Sequence, residues 1–370
     1  MTARLTPRRL SPCHGLAHFL VVALTLASLA LTSSLFAARD TQTLEIYWVD
    51  VEGGAATLIV TTAGESILID SGNPGTRDAG RIHDVATKVA GLEHIDYLIT
   101  THFHLDHFGG AAQLSTLMPI KVVYDNGIPD KNPDNRPNDT RFPLLIKPYR
   151  DMKVQERRII RPGMTLPLKS PPNSPPLRLT CLATKRDVRD LPGAQAKQPN
   201  CKNLPNQKPY DDSDNANSVV VLLELGDFRF FDAGDLTWNV EPTLVCPANI
   251  VGSEVDVYQV THHGLDRSNN PALLQALAPT VTVMNNGVTK GCGPETFKTL
   301  HSLDSAAAHY QVHKNLREDR EHNTDESQIA NLERNCEGHH IRLSVAADAT
   351  SYTVSVPSRD HQRTFQTKTK

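Results

Sequence analysis

The sequence carries no excess of basic charge: 38 Lys and Arg stand against 41 Asp and Glu, a formal net charge of -3 at pH 7. A chain that wraps nucleic acid or lies on an anionic membrane surface usually advertises a positive field, so neither partner is expected. No short-period repeat is present, which sets aside repeat architectures. Hydrophobic residues at 39% and charged ones at 21% leave no room for a disordered, collagenous or coiled-coil chain. Cysteine is scarce, at six. Long apolar runs are scarcer still, because residues 16–31 hold the one stretch that approaches a membrane span. What remains is a folded chain of 370 residues, enough for one large domain or two ordinary ones, with 25 prolines and 21 glycines that imply many loops.

The apolar run at 16–31 follows Arg4, Arg8 and Arg9 and ends in Phe36-Ala37-Ala38. That is the pattern of a secretory signal peptide over 1–38, cut near Ala37 or Ala38. An uncleaved anchor helix is the alternative reading, although the run is short for a bilayer. Cleavage leaves 35 basic residues against 41 acidic ones, a balance of -6, and no remaining span. The expected location is therefore periplasmic or extracellular. Export would make Cys181, Cys201, Cys246, Cys292 and Cys336 candidates for disulfides, with at least one left free by the odd count. Cys181 with Cys201 and Cys292 with Cys336 are the first pairings to expect.

Short apolar runs at 43–50, 56–61 and 66–70 read as strands separated by glycine-bearing turns. Helical spacing over 78–92, a strand at 95–100, a helix at 110–117 and a strand at 120–124 follow, an alternation that places a buried sheet beneath helices. Pro, Asn, Asp and Lys then dominate 126–217, which reads as a long insertion interrupted by a strand at 177–183. Strands at 218–225 and 228–231 flank Gly226-Asp227, a hairpin signal. A strand at 255–260, a helix at 271–277 and a strand at 280–284 repeat the alternation of the first half. Helices are expected at 295–302 and 325–334, a closing hairpin at 340–356, and a polar tail at 358–370. The fold class is α/β, one domain over 39–357 built from two similar halves around the insertion.

The chemistry gathers directly after the strand at 95–100, in His102, His104, Asp106 and His107. Imidazole and carboxylate suit a divalent ion such as zinc, and ligands at the mouth of a strand converge from a rigid edge. In an extended stretch His102 and His104 point the same way and can hold one ion. Asp106 and His107, after the chain turns into a helix, can face a second.

This His-x-His-x-Asp-His run resembles the signature of the metallo-β-lactamase superfamily, and the resemblance extends over most of the chain after residue 38. It implies an αββα sandwich of two similar halves. It implies that Asp70, in Leu68-Ile69-Asp70-Ser71-Gly72, orients the metal site without touching the metal, and that Asp235, in Ala233-Gly234-Asp235, bridges two ions. The last histidine ligand would come from His262-His263-Gly264. His263 is the expected ligand and His262 its neighbour. The superfamily's hydrolases carry a further histidine between the signature and the bridging aspartate, yet none occurs between His107 and His262. Asn215-Ala216-Asn217-Ser218 stands there instead. This is similar to the branch that holds the extracellular domain of the competence DNA-uptake channel ComEC and the cell-surface phosphorylcholine esterases, where an Asn-x-x-Ser element replaces the histidine. The opening motif of that branch is only partly matched by Asp50-Val51-Glu52-Gly53-Gly54-Ala55, whose last residue stands where the branch has an acid. Its His-Gly-Ser is His263-Gly264-Leu265 here.

The ligand set implies two divalent ions, zinc or manganese, held by His102 and His104 on one side and Asp106, His107 and His263 on the other, bridged by Asp235. The expected nucleophile is a hydroxide shared between them. Asn215 would face the open position of the first ion, and His313 or His322 is a remote candidate to complete it. The substrate class is an ester, either a phosphoester or phosphodiester or a lactone-like one, small or polymeric. The alternative is a surface-binding protein that keeps the metal fold without turnover. A basic stretch from Lys147 to Arg161 reads as a solvated face, with an anion-binding role as the second reading.

Overall fold

The computed structural model describes Thr2 and residues 43–136, 138–188, 201–319 and 321–369. Contacts divide the chain into Met1–Thr41 and Gln42–Lys370, and only the second unit is described below. The expected signal segment lies outside the described residues, apart from Thr2. No helix among the described residues is long and apolar enough to cross a membrane.

The first sheet opens with β1 (Leu44–Trp48), β2 (Thr57–Val60), β3 (Ser66–Ile69), β4 (Ile95–Ile99), β5 (Ile120–Asp125) and β6 (Glu156–Ile159). The second holds β7 (Leu177–Thr184), β8 (Asp187–Val188), β9 (Val220–Leu225), β10 (Phe228–Asp232), β11 (Val257–Gln259), β12 (Val281–Met284), β13 (Ala308–His313) and β14 (Ile329–Asn331). The chain then returns to the first sheet as β15 (Ile341–Val345), β16 (Ser351–Val356) and β17 (His361–Gln366). The orders are 17-16-15-1-2-3-4-5-6 and 14-13-12-11-10-9-7-8. Each half has antiparallel strands leading into a parallel ladder, β3 to β6 in one and β10 to β14 in the other.

The central strands are buried on both faces, which is why they read as continuous apolar runs rather than alternating ones. Leu44, Ile46 and Trp48 meet Phe228, Phe230 and Val257 between the sheets, with the Trp48 and Phe230 rings edge to face at 5.9 Å. On the outer face of the first sheet, α1 (Thr76–Asp84), α2 (Leu105–Phe108), α3 (Ala111–Leu117) and α4 (Phe142–Asp151) bury Ala79, Ile82, Phe108, Leu114 and Ile146. On the second, α5 (Pro271–Leu277) and α6 (Pro294–His301) bury Leu273, Leu274, Leu277 and Leu300. The result is an αββα sandwich. A buried polar link crosses it: Gln259 Oε1 accepts from Trp48 Nε1 at 2.8 Å and Thr57 Oγ1 at 2.6 Å, while its Nε2 donates to Asp232 Oδ2 at 2.7 Å.

Several expectations are corrected. The segment 126–217 is not wholly an excursion, because it supplies α4, β6 and β7, and Leu179 and Cys181 of β7 lie in the core between the sheets. The charged helix at 325–334 is instead a short turn, Glu326–Gln328, capped by the Asp325 side chain, followed by β14. Ile329 and Asn331 pair with β13, a strand not expected from the sequence. The polar tail contains β17, whose Phe365 stacks on Tyr352 at 5.4 Å. The disulfide joins Cys201 to Cys246, with Cα atoms 5.8 Å apart, while Cys181, Cys292 and Cys336 are free. Neither expected pairing forms, because Cys181 is buried in the core and the Cys292 thiol is turned toward the carbonyl of His322 at 2.9 Å. The basic stretch is largely paired within itself, Lys147 with Asp151 and Arg158 with Glu156, and Arg157 lies over the Tyr149 ring.

Two glycines let the loop after β3 close on the loop after β4. A Cβ on Gly110 would lie 2.1 Å from the carbonyl oxygen of Ser71, and one on Gly109 would lie 2.5 Å from Pro74 N. Gly110→Ala should therefore lower stability by about 1–3 kcal/mol or more, the usual cost of overpacking, read as a fall in the thermal midpoint. Peptide mapping without reductant should recover a Cys201–Cys246 crosslink, with Cys181 and Cys292 alkylated only after unfolding.

Candidate metal centre

The centre is assembled from loops that leave the C-terminal ends of β3, β4, β10 and β11, the end of a parallel ladder where ligands usually bind. Past β3, Asp70 takes a left-handed backbone, φ 60. Its Oδ1 accepts from the Thr101 backbone N–H at 2.8 Å and its Oδ2 from the Thr101 hydroxyl at 2.7 Å. The same Oδ2 lies 2.7 Å from His107 Nδ1, which fixes that proton and leaves Nε2 as a free donor atom. Past β10, Gly234 brings the chain so close to Thr101 that a Cβ would lie 2.9 Å from the Thr101 Cβ. The next residue, Asp235, points its carboxylate at the histidines, and its backbone N–H donates to Ser218 Oγ at 3.2 Å. Past β11 the turn Thr261–Gly264 holds His262 at φ 56 and His263 at φ 55, positive values that cost a non-glycine residue energy.

Four of these side chains form a compact donor set: Asp106, His107, Asp235 and His263. Asp235 Oδ2 is 3.2 Å from both His107 Nε2 and His263 Nε2. Asp106 Oδ2 is 3.4 Å from the first and 3.3 Å from the second, and the two Nε2 atoms are 3.3 Å apart. A tetrahedral ion with bonds of about 2.0–2.1 Å has ligand-to-ligand edges of about 3.3 Å. The donor chemistry and the spacing both fit a divalent metal.

A second group of side chains faces the same Asp235 oxygen, Oδ2. His102 Nε2 is 4.0 Å and His262 Nε2 3.5 Å from Asp235 Oδ2. The His102 ring is fully buried and its Nε2 has no hydrogen-bond partner, while its Nδ1 is near the hydroxyls of Thr101 at 3.1 Å and Ser218 at 3.4 Å. His104 turns its Nε2 to Asp134 Oδ1 at 2.8 Å, which leaves Nδ1 as its remaining donor atom. Asn215 sits on the turn Asp214–Asn217 with Nδ2 3.4 Å from His262 Nε2, and its buried Oδ1 is unpartnered. The two adjacent histidines thus both reach the same oxygen of Asp235. His313 and His322 do not join them: His313 lies beside Cys336 and Asp50, and His322 Nδ1 is 3.1 Å from the carbonyl of Asp319.

Burial and neighbouring charge set the protonation states. Burial holds His102 well below the usual imidazole range, reinforced by His107 and His104, so its lone pair is available to a cation. Burial also pushes His262 down, to about 4. His107 goes the other way: burial opposes its charge, but Asp235, Asp106 and Asp70 outweigh that and raise it well above the usual value. Burial would raise Asp106 and Asp235, yet the surrounding histidines, with Lys290 beside Asp106, hold both well below the usual carboxylate range.

Residues 49–177 match the family model of the Metallo-beta-lactamase superfamily. Over that stretch the chain is similar to the metallo-beta-lactamase superfamily. A UPF0173 metal-dependent hydrolase from Cupriavidus metallidurans is 32% identical over 87 residues, which is 23% of this chain and 27% of that protein, so the match spans about a quarter of the relative. Among solved structures, CmlA, a diiron beta-hydroxylase from Streptomyces venezuelae, aligns at 16% identity and a TM-score of 0.37 over 66% of this chain and 45% of that one. A metallo-beta-lactamase variant from Cronobacter sakazakii aligns at 17% identity and a TM-score of 0.30 over 58% and 75%. The cluster around Asp235 is where the chain could hold a metal.

Sequence reasoning left His262 aside and missed Asp134 and Lys290. The Lys290 ammonium contacts Asp106 Oδ2. Only the His-His pair carried a signal, since a single sequence cannot show which of two adjacent histidines the backbone turns inward. Replacing Asp70 by Asn would set an amide N–H against the Nδ1 proton of His107. Metal affinity, measured by competition with a chelating dye, should fall about 10- to 100-fold, the range for losing such a supporting carboxylate, with far-UV circular dichroism unchanged.

Proposed function

We propose that this chain is an exported metal-dependent hydrolase that cleaves an ester, either a phosphoester or phosphodiester or a lactone-like one. The observation that carries this reading is the donor set at Asp235, whose edges match a tetrahedral divalent ion and beside which further imidazoles stand. Asp106, His107, Asp235 and His263 would hold one ion. His102, His104 and His262, sharing Asp235, would hold the other, so His262 takes up the place left by the missing histidine. Zinc suits these nitrogen and oxygen donors, and manganese is the second choice. Such ions supply Lewis-acid polarisation of an ester oxygen and a nucleophilic water at neutral pH.

The chain's own groups do the rest. Asp70 keeps the His107 proton on Nδ1, and Asp134 does the same for His104 at Nε2. Thr101 and Ser218 orient His102. A cleft of about 510 Å3 leads to the centre past His104 and Asn215, walled by Trp238, Arg136, Lys208 and Arg267. Lys290 adds an ammonium at the donor set itself. Asp134, Asp211 and Asp212 line the same cleft, so its wall presents cations and carboxylates side by side, suited to a polar ester. Asn215, at the inner end of the cleft, offers an acceptor oxygen that no protein group uses, suited to aligning a water or a substrate hydroxyl. The Asn-x-x-Ser element and the His-His-Gly turn support a place near the ComEC-like branch, and the run at 16–31 supports export.

The test pairs metal analysis with a panel of chromogenic phosphodiester, phosphomonoester, lactone and β-lactam substrates. About two zinc or manganese ions per chain that disappear in Asp235→Ala are expected, with turnover on one of the esters. Asn215→Ala should leave metal content nearly unchanged and lower kcat/KM by about a hundredfold, whereas His263→Ala should lose metal and activity together. Two such ions without turnover on any ester would point instead to a binding protein, and a single Asp235-dependent ion per chain under metal-replete conditions would remove the dinuclear scheme.

A further inference from the structure

A second group of metal-capable side chains converges away from Asp235: Asp50, His313 and Cys336, whose ligand atoms all lie within 4.8 Å of one another. They come from different parts of the sandwich. Asp50 lies just past β1 of the first sheet, His313 ends β13 of the second, and Cys336 sits on the connection from β14 back to β15. Cys336 Sγ is 3.1 Å from Asp50 Oδ2 and 3.4 Å from His313 Nε2. Asp50 and His313 are fully buried, while Cys336 is partly open to solvent.

The spacing has a chemical meaning. Zinc bonds of about 2.3 Å to sulfur and about 2.0–2.1 Å to nitrogen or oxygen give tetrahedral edges of about 3.3–3.6 Å, close to both separations. A thiolate, an imidazole and a carboxylate are also the donors zinc prefers. We propose that Asp50, His313 and Cys336 form a second, structural zinc site, separate from the centre at Asp235, with a water entering beside Cys336 as fourth ligand. When the ion binds, the S–H bond of Cys336 breaks, its proton goes to solvent and the sulfur lone pair forms the bond to zinc.

The surroundings fit that occupant. Asp50 Oδ1 accepts from the Glu52 backbone N–H at 2.9 Å. Arg81 donates to Asp50 Oδ2 at 3.0 Å, to the Asp50 carbonyl at 3.2 Å and to the Cys336 carbonyl at 3.2 Å. A ligating carboxylate is normally held this way by outer hydrogen bonds, and its oxygens have lone pairs to spare. Charge closes as well. Asp50, the Cys336 thiolate, Glu52 and Asp78 carry four negative charges against one divalent ion and two guanidiniums, Arg81 at 3.3 Å and Arg77 at 2.8 Å from Glu52, with Arg77 also 2.5 Å from Asp78. The ion would clasp the two sheets and the loop between them. It would also steady the Asp50–Ala55 loop, whose Ala55 N–H donates to the Asp106 carbonyl at 3.1 Å.

Cobalt substitution tests the site on the intact chain. The donor set at Asp235 contains no sulfur, so a thiolate-to-cobalt charge-transfer band in the near ultraviolet reports this site alone. The band should appear on loading with cobalt(II), persist in Asp235→Ala and vanish in Cys336→Ser. A second measurement does not depend on the folding of that variant. Zinc should slow alkylation of Cys336 in the wild-type protein by about tenfold or more, as expected when a ligated thiolate is withdrawn, and a chelator should restore the rate. No band in the cobalt-loaded wild type, a band that survives Cys336→Ser, or alkylation of Cys336 indifferent to zinc would each overturn the proposal. None of these outcomes bears on hydrolysis at Asp235.

Discussion

A carboxylate taken out of water is costly unless positive charge or hydrogen bonds replace its hydration, and the architecture around Asp235 answers that requirement. Four imidazoles from two loops turn their Nε2 atoms toward one of its oxygens, at 3.2 to 4.0 Å. One of these rings, His107, is itself held between Asp235 and the buried Asp70. The alternation of buried acids and imidazoles leaves each charge within reach of its opposite, and it leaves His102 neutral with an unused nitrogen. Such a cluster is poised for a cation rather than self-contained.

The sandwich brings these groups together because each half ends its parallel strands at the same rim. The first half delivers Asp70 and the His-x-His-x-Asp-His run, and the second delivers Asp235 and the two adjacent histidines. Beneath them, Gln259 ties Trp48 and Thr57 of one sheet to Asp232 of the other. Burial raises the Asp232 carboxyl to about 7, so this link under the charged rim ends on a carboxyl that is about half ionised at neutral pH. Small displacements of one sheet against the other would therefore be felt at the donor set.

Much of this was legible from the residues. The central strands announced themselves because burial on both faces leaves them almost wholly apolar, as in 44–48, 66–69 and 220–225. The edges did not. β6 reads Glu-Arg-Arg-Ile and β17 reads His-Gln-Arg-Thr-Phe-Gln, polar sequences whose strand character comes from pairing with a neighbour and, in β17, from the one inward residue, Phe365. β13 alternates Ala308, Tyr310 and Val312 with polar residues, and its histidines draw attention away from that period. At the centre, the motif displayed its own ligands, whereas Asp134 reaches His104 from a Pro- and Asn-rich segment that carries no local signal. The disulfide was equally opaque, since spacing along the chain says nothing of which cysteine a strand turns into the core.

The backbone at 262–264 has a consequence of its own. Three successive residues there hold positive φ values of 56, 55 and 79, and only the last is glycine. Were folding the sole demand on this turn, drift would replace the two histidines by glycine or asparagine, which enter that region with little strain. A chain that retains imidazoles at both positions is forgoing stability on every copy it makes. Loss of the demand on this rim would therefore be recorded first in these two codons, before any change in the core.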